Sequence, residues 1–321
     1  RICVGRGGDR HYAMVEGEPL ALAYESVAGG PEFLVASDIA GETRGRGTGG
    51  VRSRQLIREA TALERDWVEE LFPDRFVESV EVGFDRERER VMAVRRRRFG
   101  QVTLDESVAS VDDAADDGEV ARELVDAALD DLDRAFDLSV RQRQFLLRIE
   151  SLRRWRPQLE LPAVPVAAGP DPDEADDFRE LLVRIAWGER SFDDLRRLDL
   201  IGEIRRNLTH EQVQGIEELA PPEFEAPSGY THTLEYRPGK APALEVRIQE
   251  MFGTTDHPAV AGGEVPVRLK LLAPNFRPAQ ITDDLSGFWE DTYHEVRKEY
   301  RADYPAHPWP EEPADAQPVA M

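Results

Sequence analysis

Over the first hundred positions, short apolar runs give way repeatedly to polar and glycine-containing turns. Residues 11–25, 31–41 and 51–63 are such runs, broken at Gly29-Gly30 and along 41–50. The glycines of 41–50 fit no dinucleotide-binding spacing and read as a loop. A helix is predicted over 64–72, ahead of Pro73. Val77, Val80, Val82 and Phe84, a charged turn, then Val91, Phe99, Val102 and Leu104 predict a hairpin with a further strand. Strands closing around one helix predict a small barrel of the OB type over 1–110, with a sandwich left open.

The period then changes. Val120, Leu124, Ala128, Leu132 and Phe136 recur near every fourth position, predicting one amphipathic helix over 119–136. A second runs from Ser139, with Phe145, Ile149, Leu152 and Trp155 on one stripe and Pro157 at its end. A Pro-rich connector lies near 160–173, and helices resume over 173–189, 192–208 and, behind a Thr209 N-cap, 210–220. These make a helical domain over 118–219.

From 220 to 313 the pattern is mixed. Tyr230, His232, Leu234 and Tyr236 alternate as on a half-buried strand, with a hairpin through Pro227, Ser228 and Gly229. Leu244, Ile248, Met251 and Phe252 are spaced helically and stop at Gly253. Val265, Val267, Leu269 and Leu271 alternate against Arg268 and Lys270, a strand with one wet face. Thr282 can cap a helix carrying Leu285, Phe288, Trp289, Val296 and Tyr300. The expectation is therefore a multidomain α+β chain: an N-terminal OB-like β-barrel, a central helical domain, a compact C-terminal α+β domain, and a flexible tail over 314–321.

Charge changes the picture of the surface. The chain carries a formal net charge of −23, divided as −3 over 1–110, −12 over 111–220 and −8 over 221–321, and only Lys240, Lys270 and Lys298 among its 41 basic residues are lysine. Such acidity suits a halophile, because in molar salt the Debye length falls to about 3 Å and like charges stop repelling. The alternative is an acidic protein that binds a basic partner. One cysteine, Cys3, permits no internal disulfide and no thiolate zinc site, which fits a reducing cytoplasm. No apolar stretch is long enough to span a membrane, and a start without Met or an apolar leader points to a fragment.

Recognisable catalytic chemistry is missing from the sequence. A phosphate-binding loop needs glycines, a Lys and a Ser or Thr in sequence, but Gly239-Lys240 is followed by Ala241 and lacks the upstream glycine. The six histidines are scattered, and neither His210 nor His294 has a second His four residues on, as a zincin helix requires. Catalytic, cofactor and metal residues are accordingly expected to be none. Two basic features stand out instead. Arg95, Arg96, Arg97 and Arg98 fall on a predicted strand, where they can form a phosphate-contacting stripe or pair with the acids of the neighbouring strand. Residues 141–156 place six arginines against Glu150 on one helix, to touch RNA or to dock an acidic neighbour.

The strings ELAPPEFEAPSG, LEVRIQEMFG, VPVRLKLLAPNFRPAQITDDLSGFWEDTYHEVRKEY and YPAHPWPEEP, in that order, resemble the C-terminal region of the HrpB family of ATP-dependent DExH-type RNA helicases. The resemblance spans roughly Leu219 to Pro313. A weaker likeness over 1–110 rests on GRGG, EFLVASDIAG and RVMAVRRRRFG, and the helical middle matches in pattern only. It implies that ATP and magnesium belong to upstream RecA-like domains, which would be the chain's partner, and that single-stranded RNA is contacted near Arg95 to Arg98. The chain would then be an accessory region without ATPase motifs, leaving open whether it is itself an enzyme. A non-enzymatic protein-docking module is the alternative. Trp289, Tyr304, His307 and Trp309 mark the signature, although Ala306 stands where the resemblance implies a basic residue.

The stretch Tyr304–Pro313 admits a polyproline ligand, a lone-histidine metal site, a disordered tail, or a strap laid back over its own domain. Two aromatics so close together favour the strap.

Overall fold

The computed structural model describes residues 1–5, 10–24, 26, 30–45, 52–164 and 176–320, with the backbone alone at 40–45 and 52–54. The chain divides into two compact units, Arg1–Glu123 and Leu124–Met321. The border expected at 219/220 therefore falls inside the second.

The first unit opens with β1 (Ile2–Gly5), β2 (His11–Met14), β3 (Pro19–Leu22), β4 (Phe33–Gly45) and β5 (Arg52–Leu63), which close into a barrel in the order β1-β2-β3-β5-β4. Only the β3–β5 pairing is parallel. The strand period of two sorts the side chains. Cys3, Tyr12, Met14, Leu20, Leu34 and Ile57 fill the barrel, while Val4, Ala13, Val15 and Phe33 point outward into a second apolar cluster. That second cluster is completed by Val68 of α1 (Arg65–Leu71) and by Phe99 and Val102 of a separate three-stranded sheet. The sheet is the meander β6 (Phe76–Asp85), β7 (Arg90–Phe99) and β8 (Val102–Ala109), followed by the single turn α2 (Val111–Ala114). The predicted hairpin with a further strand is thus present but stands outside the barrel. Residues 41–45, expected in a loop, extend β4 and pair with β5, whereas 46–51 lie outside the described residues.

Helix α3 (Asp117–Asp130) leads into the second unit. The single helix expected over 119–136 is broken at Asp131, whose carboxylate accepts from the Arg134 amide and starts α4 (Leu132–Phe136) afresh. Ser139 and Gln142 form a reciprocal capping box that starts α5 (Val140–Trp155) where expected. Most of the connector, 165–175, lies outside the described residues. After α6 (Asp176–Ile185), the helix expected over 192–208 is again two, α7 (Phe192–Leu195) and α8 (Leu200–Asn207), because Asp199 caps the second. Thr209 and Gln212 box the start of α9 (His210–Leu219).

The remainder is a mixed sheet of order β15-β14-β11-β10-β9 with helices beside it. Its strands are β9 (Glu223–Glu225), β10 (Thr231–Glu235), β11 (Ala243–Arg247), β14 (Arg268–Leu272) and β15 (Pro278–Thr282); the short pair β12 (Ala259–Val260) and β13 (Val265–Pro266) stands apart. The helix read from Leu244 to Phe252 is overturned over 243–247. Those residues run parallel to β14, burying Leu244 and Val246, and only Ile248–Met251 coil into a 3-10 turn. Asp284, not Thr282, caps the last helix, which passes from α10 (Leu285–Gly287) through a π turn at Phe288–Thr292 into α11 (Tyr293–Asp303). The Thr282 hydroxyl instead donates to the Asp284 carbonyl. Of the flexible tail expected over 314–321, Val319 is tied to the same unit, its amide donating to the Gln249 carbonyl, and just before the tail the Gly253 amide donates to Pro313.

Helix α5 joins the helical and mixed halves. Gln144 exchanges two hydrogen bonds with the Tyr236 backbone, and Trp155 packs 6.3 Å from the Tyr236 ring.

Candidate nucleic-acid interface

Arg95 to Arg98 lie on β7, the central strand of the meander, so their side chains alternate between its faces and acids on both neighbours come within reach. On one face Arg96 bridges Glu81 and, at 3.0 Å, Glu106, while Arg98 reaches Glu81 at 2.8 Å and the Ser79 hydroxyl at 3.1 Å. On the other, Arg97 meets Glu69 of α1 at 3.0 Å and Glu78 at 3.6 Å, with its guanidinium 5.2 Å from the Phe76 ring centre. Arg65 extends the network to Asp105 at 2.7 Å, and the hydrogen bond it donates to that carboxylate pushes the Arg65 pKa further up. Each exposed pair contributes little on its own, about 0–1 kcal/mol, yet together they neutralise the stripe. Arg95 differs from the other three. It is exposed and makes no ion pair with any described residue.

The arginines of α5 are similarly committed. Arg148 is buried and donates to the Ala220 and Ile216 carbonyls and to Glu217. Glu150, 3% exposed, receives Arg153 and Arg154, and Arg156 pairs with Glu264 at 2.6 Å. Beside the first turn of α5 a cavity of about 660 Å³ is lined by Arg141, Phe145, Arg205, Glu217, Pro222 and Leu234, among others. Arg205 covers Phe145 at 4.5 Å. Burial alone would raise the Glu217 carboxyl, but hydrogen bonds and charge from Arg148 and Arg205 hold it below the usual carboxylate range. Glu69 and Glu217 come from other helices, so neither was visible from the spacing around the arginines.

The aromatic signature residues serve packing. Trp289 is 4% exposed, donates its indole N–H to the Thr254 carbonyl at 2.9 Å, and sits edge-to-face with Tyr293 at 5.3 Å. Beyond α11 the chain doubles back. Trp309 stacks on Tyr300 with ring centres 6.2 Å apart, and its indole N–H donates to the Tyr304 carbonyl at 3.1 Å. Tyr304 stacks on Tyr300 in turn, and His307 lies edge-on to Tyr304 at 6.1 Å. Arg297 and Tyr293 pin the return by donating to the Trp309 and Pro310 carbonyls. Among the described residues no group of three or more acidic, His or Cys side chains is arranged to hold a metal ion, and no helix is long and apolar enough to cross a membrane.

Comparison with known proteins accords with this layout. Residues 182–313 match the family model HrpB_C, described as ATP-dependent helicase C-terminal. The chain is 30% identical over 325 aligned residues to the ATP-dependent RNA helicase HrpB of Escherichia coli strain K12, an alignment covering 99% of this chain and 38% of that protein. The crystal structure of the E. coli DExH-box NTPase HrpB superimposes with a TM-score of 0.59 at 28% identity, over 99% of this chain and 38% of the other. A second crystal structure, of E. coli DEAH/RHA helicase HrpB, gives 0.51 at 27% identity, over 96% and 37%. The chain thus spans about 38% of the length of the curated relative it matches. Over nearly its whole length it is therefore similar to the C-terminal part of HrpB helicases.

Proposed function

We propose that this chain works as the C-terminal accessory region of an ATP-dependent RNA helicase, contributing RNA contacts and architecture while RecA-like domains supply ATP and magnesium chemistry. The observation that carries this reading is the extent of the match: 99% of the chain aligns with one part of a protein named an ATP-dependent RNA helicase. Two further features support it. The sequence has no phosphate-binding loop of its own, and its first five strands close in the order β1-β2-β3-β5-β4, the kind of small barrel on which OB-type nucleic-acid grooves are built.

On this reading the RNA-facing role expected of Arg95 to Arg98 concentrates on Arg95, because the other three are held by carboxylates. Fluorescence anisotropy of a labelled oligouridine with the whole chain tests it. Measurable binding that weakens in Arg95→Ser supports the reading. No binding from low salt to molar salt counts against RNA contacts and leaves the protein-docking alternative, which α1 favours by exposing Trp67 and Leu71 one turn apart, at 56% and 70%.

A further inference from the structure

The turn between β14 and β15 carries an aromatic ring in an unusual setting. Ala273 to Arg277 form a tight loop in which the Phe276 amide donates to the Ala273 carbonyl, the Ala273 amide donates to the Arg277 carbonyl, and the Asn275 side chain accepts from the Arg277 amide. This geometry puts Phe276 at φ +63, in the left-handed region that bulky L-residues avoid and that Gly or Asn ordinarily fills. The ring is not compensated by burial, for Phe276 is 63% exposed. Phenylalanine there costs conformational energy and gains little apolar cover, so a role outside the core is indicated.

Its neighbours fit that role. The Arg247 guanidinium, from the end of β11, lies 4.1 Å from the Phe276 ring centre and backs one face. Elsewhere on this sheet the cations are spent: Arg268 on Asp283, Lys270 on Glu245 and Glu235, and Arg237 on Glu235. Arg247 and Arg277 make no ion pair with any described residue. An exposed ring backed by a cation, with a second unpaired cation on the next residue, joins a π-surface to positive charge in a chain of net charge −23.

We infer that Phe276, backed by Arg247 and flanked by Arg277, is a stacking platform for an unpaired base of single-stranded RNA, with the two guanidiniums facing its phosphates. The inference rests on the helicase reading above and adds a site to it. Stacking accepts any base, and it survives salt that would dissolve purely ionic contacts. With two cations engaged, log K should fall against log salt with a slope of only about −1.4.

The test uses the whole chain, a labelled oligouridine and two variants. Phe276→Gly removes the ring and relieves the backbone, so it should keep or raise the melting temperature while weakening binding about 5- to 100-fold. Phe276→Trp should retain or tighten binding. Photocrosslinking with 4-thiouridine should label the peptide containing Phe276 in the native chain and not in Phe276→Gly. If the native chain binds and Phe276→Gly binds equally well, the platform is overturned and the helicase reading stands. If the native chain shows no binding at any salt, the platform falls together with the RNA-contact reading, and the turn becomes a protein-docking point.

Discussion

Replacing Trp309 by Ala removes the ring that fixes the C-terminal return. The residue is 7% exposed, and the indole both stacks on Tyr300 and donates to the Tyr304 carbonyl. A buried indole takes about 200 Å² out of water, worth ~5 kcal/mol at ~25 cal/mol/Å². Compactness of the unfolded chain lowers that figure, and Trp→Ala changes in cores cost about 3–5 kcal/mol. Trp309→Phe keeps a ring but loses the N–H donor, so it should cost roughly 1–2 kcal/mol. Urea unfolding followed by far-UV circular dichroism measures both, in parallel with thermal melts. At about 2–4 °C per kcal/mol for a unit of this size, Trp309→Ala should lower the melting point of the second unit by ~6–20 °C. A cost under about 1 kcal/mol would refute the reasoning, because a ring so placed cannot be both buried and dispensable.

Three other outcomes follow from separate parts of the molecule. Cys3 is buried, and burial pushes its thiol from 9.0 up to about 11, so at pH 8 its thiolate fraction is about a hundredfold below that of the unfolded chain; iodoacetamide labelling should be correspondingly slow until urea unfolds the barrel. Gly100 has φ +60, and a Cβ there would meet the Val15 side chain at 2.4 Å and its carbonyl oxygen at 2.5 Å, so Gly100→Ala should destabilise the first unit by roughly 2 kcal/mol or more on chemical unfolding. The Ser191 hydroxyl donates to the Asp194 carboxylate and lowers its pKa below 3.8; the stability this adds is complete above the unfolded value and is lost as pH falls through the lower folded one. The stability difference between the native chain and Asp194→Asn should therefore be full at pH 6 and shrink progressively as the pH falls below 3.8, as followed by unfolding across pH.

What the sequence disclosed and what it withheld follow from how local each determinant is. Ser139 with Gln142, and Thr209 with Gln212, are self-contained capping devices, so the starts of α5 and α9 were legible from four residues each. Asp131 and Asp199 were not. An aspartate inside an amphipathic period reads as a solvated position, and only the folded chain shows its carboxylate turned to cap a new helix. Leu244, Val246 and Ile248 fit a period of two as well as Leu244 and Ile248 fit the helical one; β14, twenty-odd residues away, decides between them. The arginine strand was legible as a strand with acids opposite. Its main helical partner, Glu69, lies far from it along the chain, and long-range pairing leaves no local mark. Phe276 gave no signal, because nothing in Asn-Phe-Arg announces a left-handed phenylalanine. Trp309 was readable because a Tyr and a Trp among prolines have few uses other than packing.

The role proposed for this chain is that of the C-terminal region of an RNA helicase. The most direct measurement is ATP-dependent RNA unwinding by E. coli HrpB whose matching C-terminal part is exchanged for this chain, set beside the same enzyme with that part deleted. The exchanged enzyme should unwind RNA within about tenfold of the native one, and the deleted form should lose RNA affinity. Equal RNA affinity and unwinding by the deleted form would contradict it.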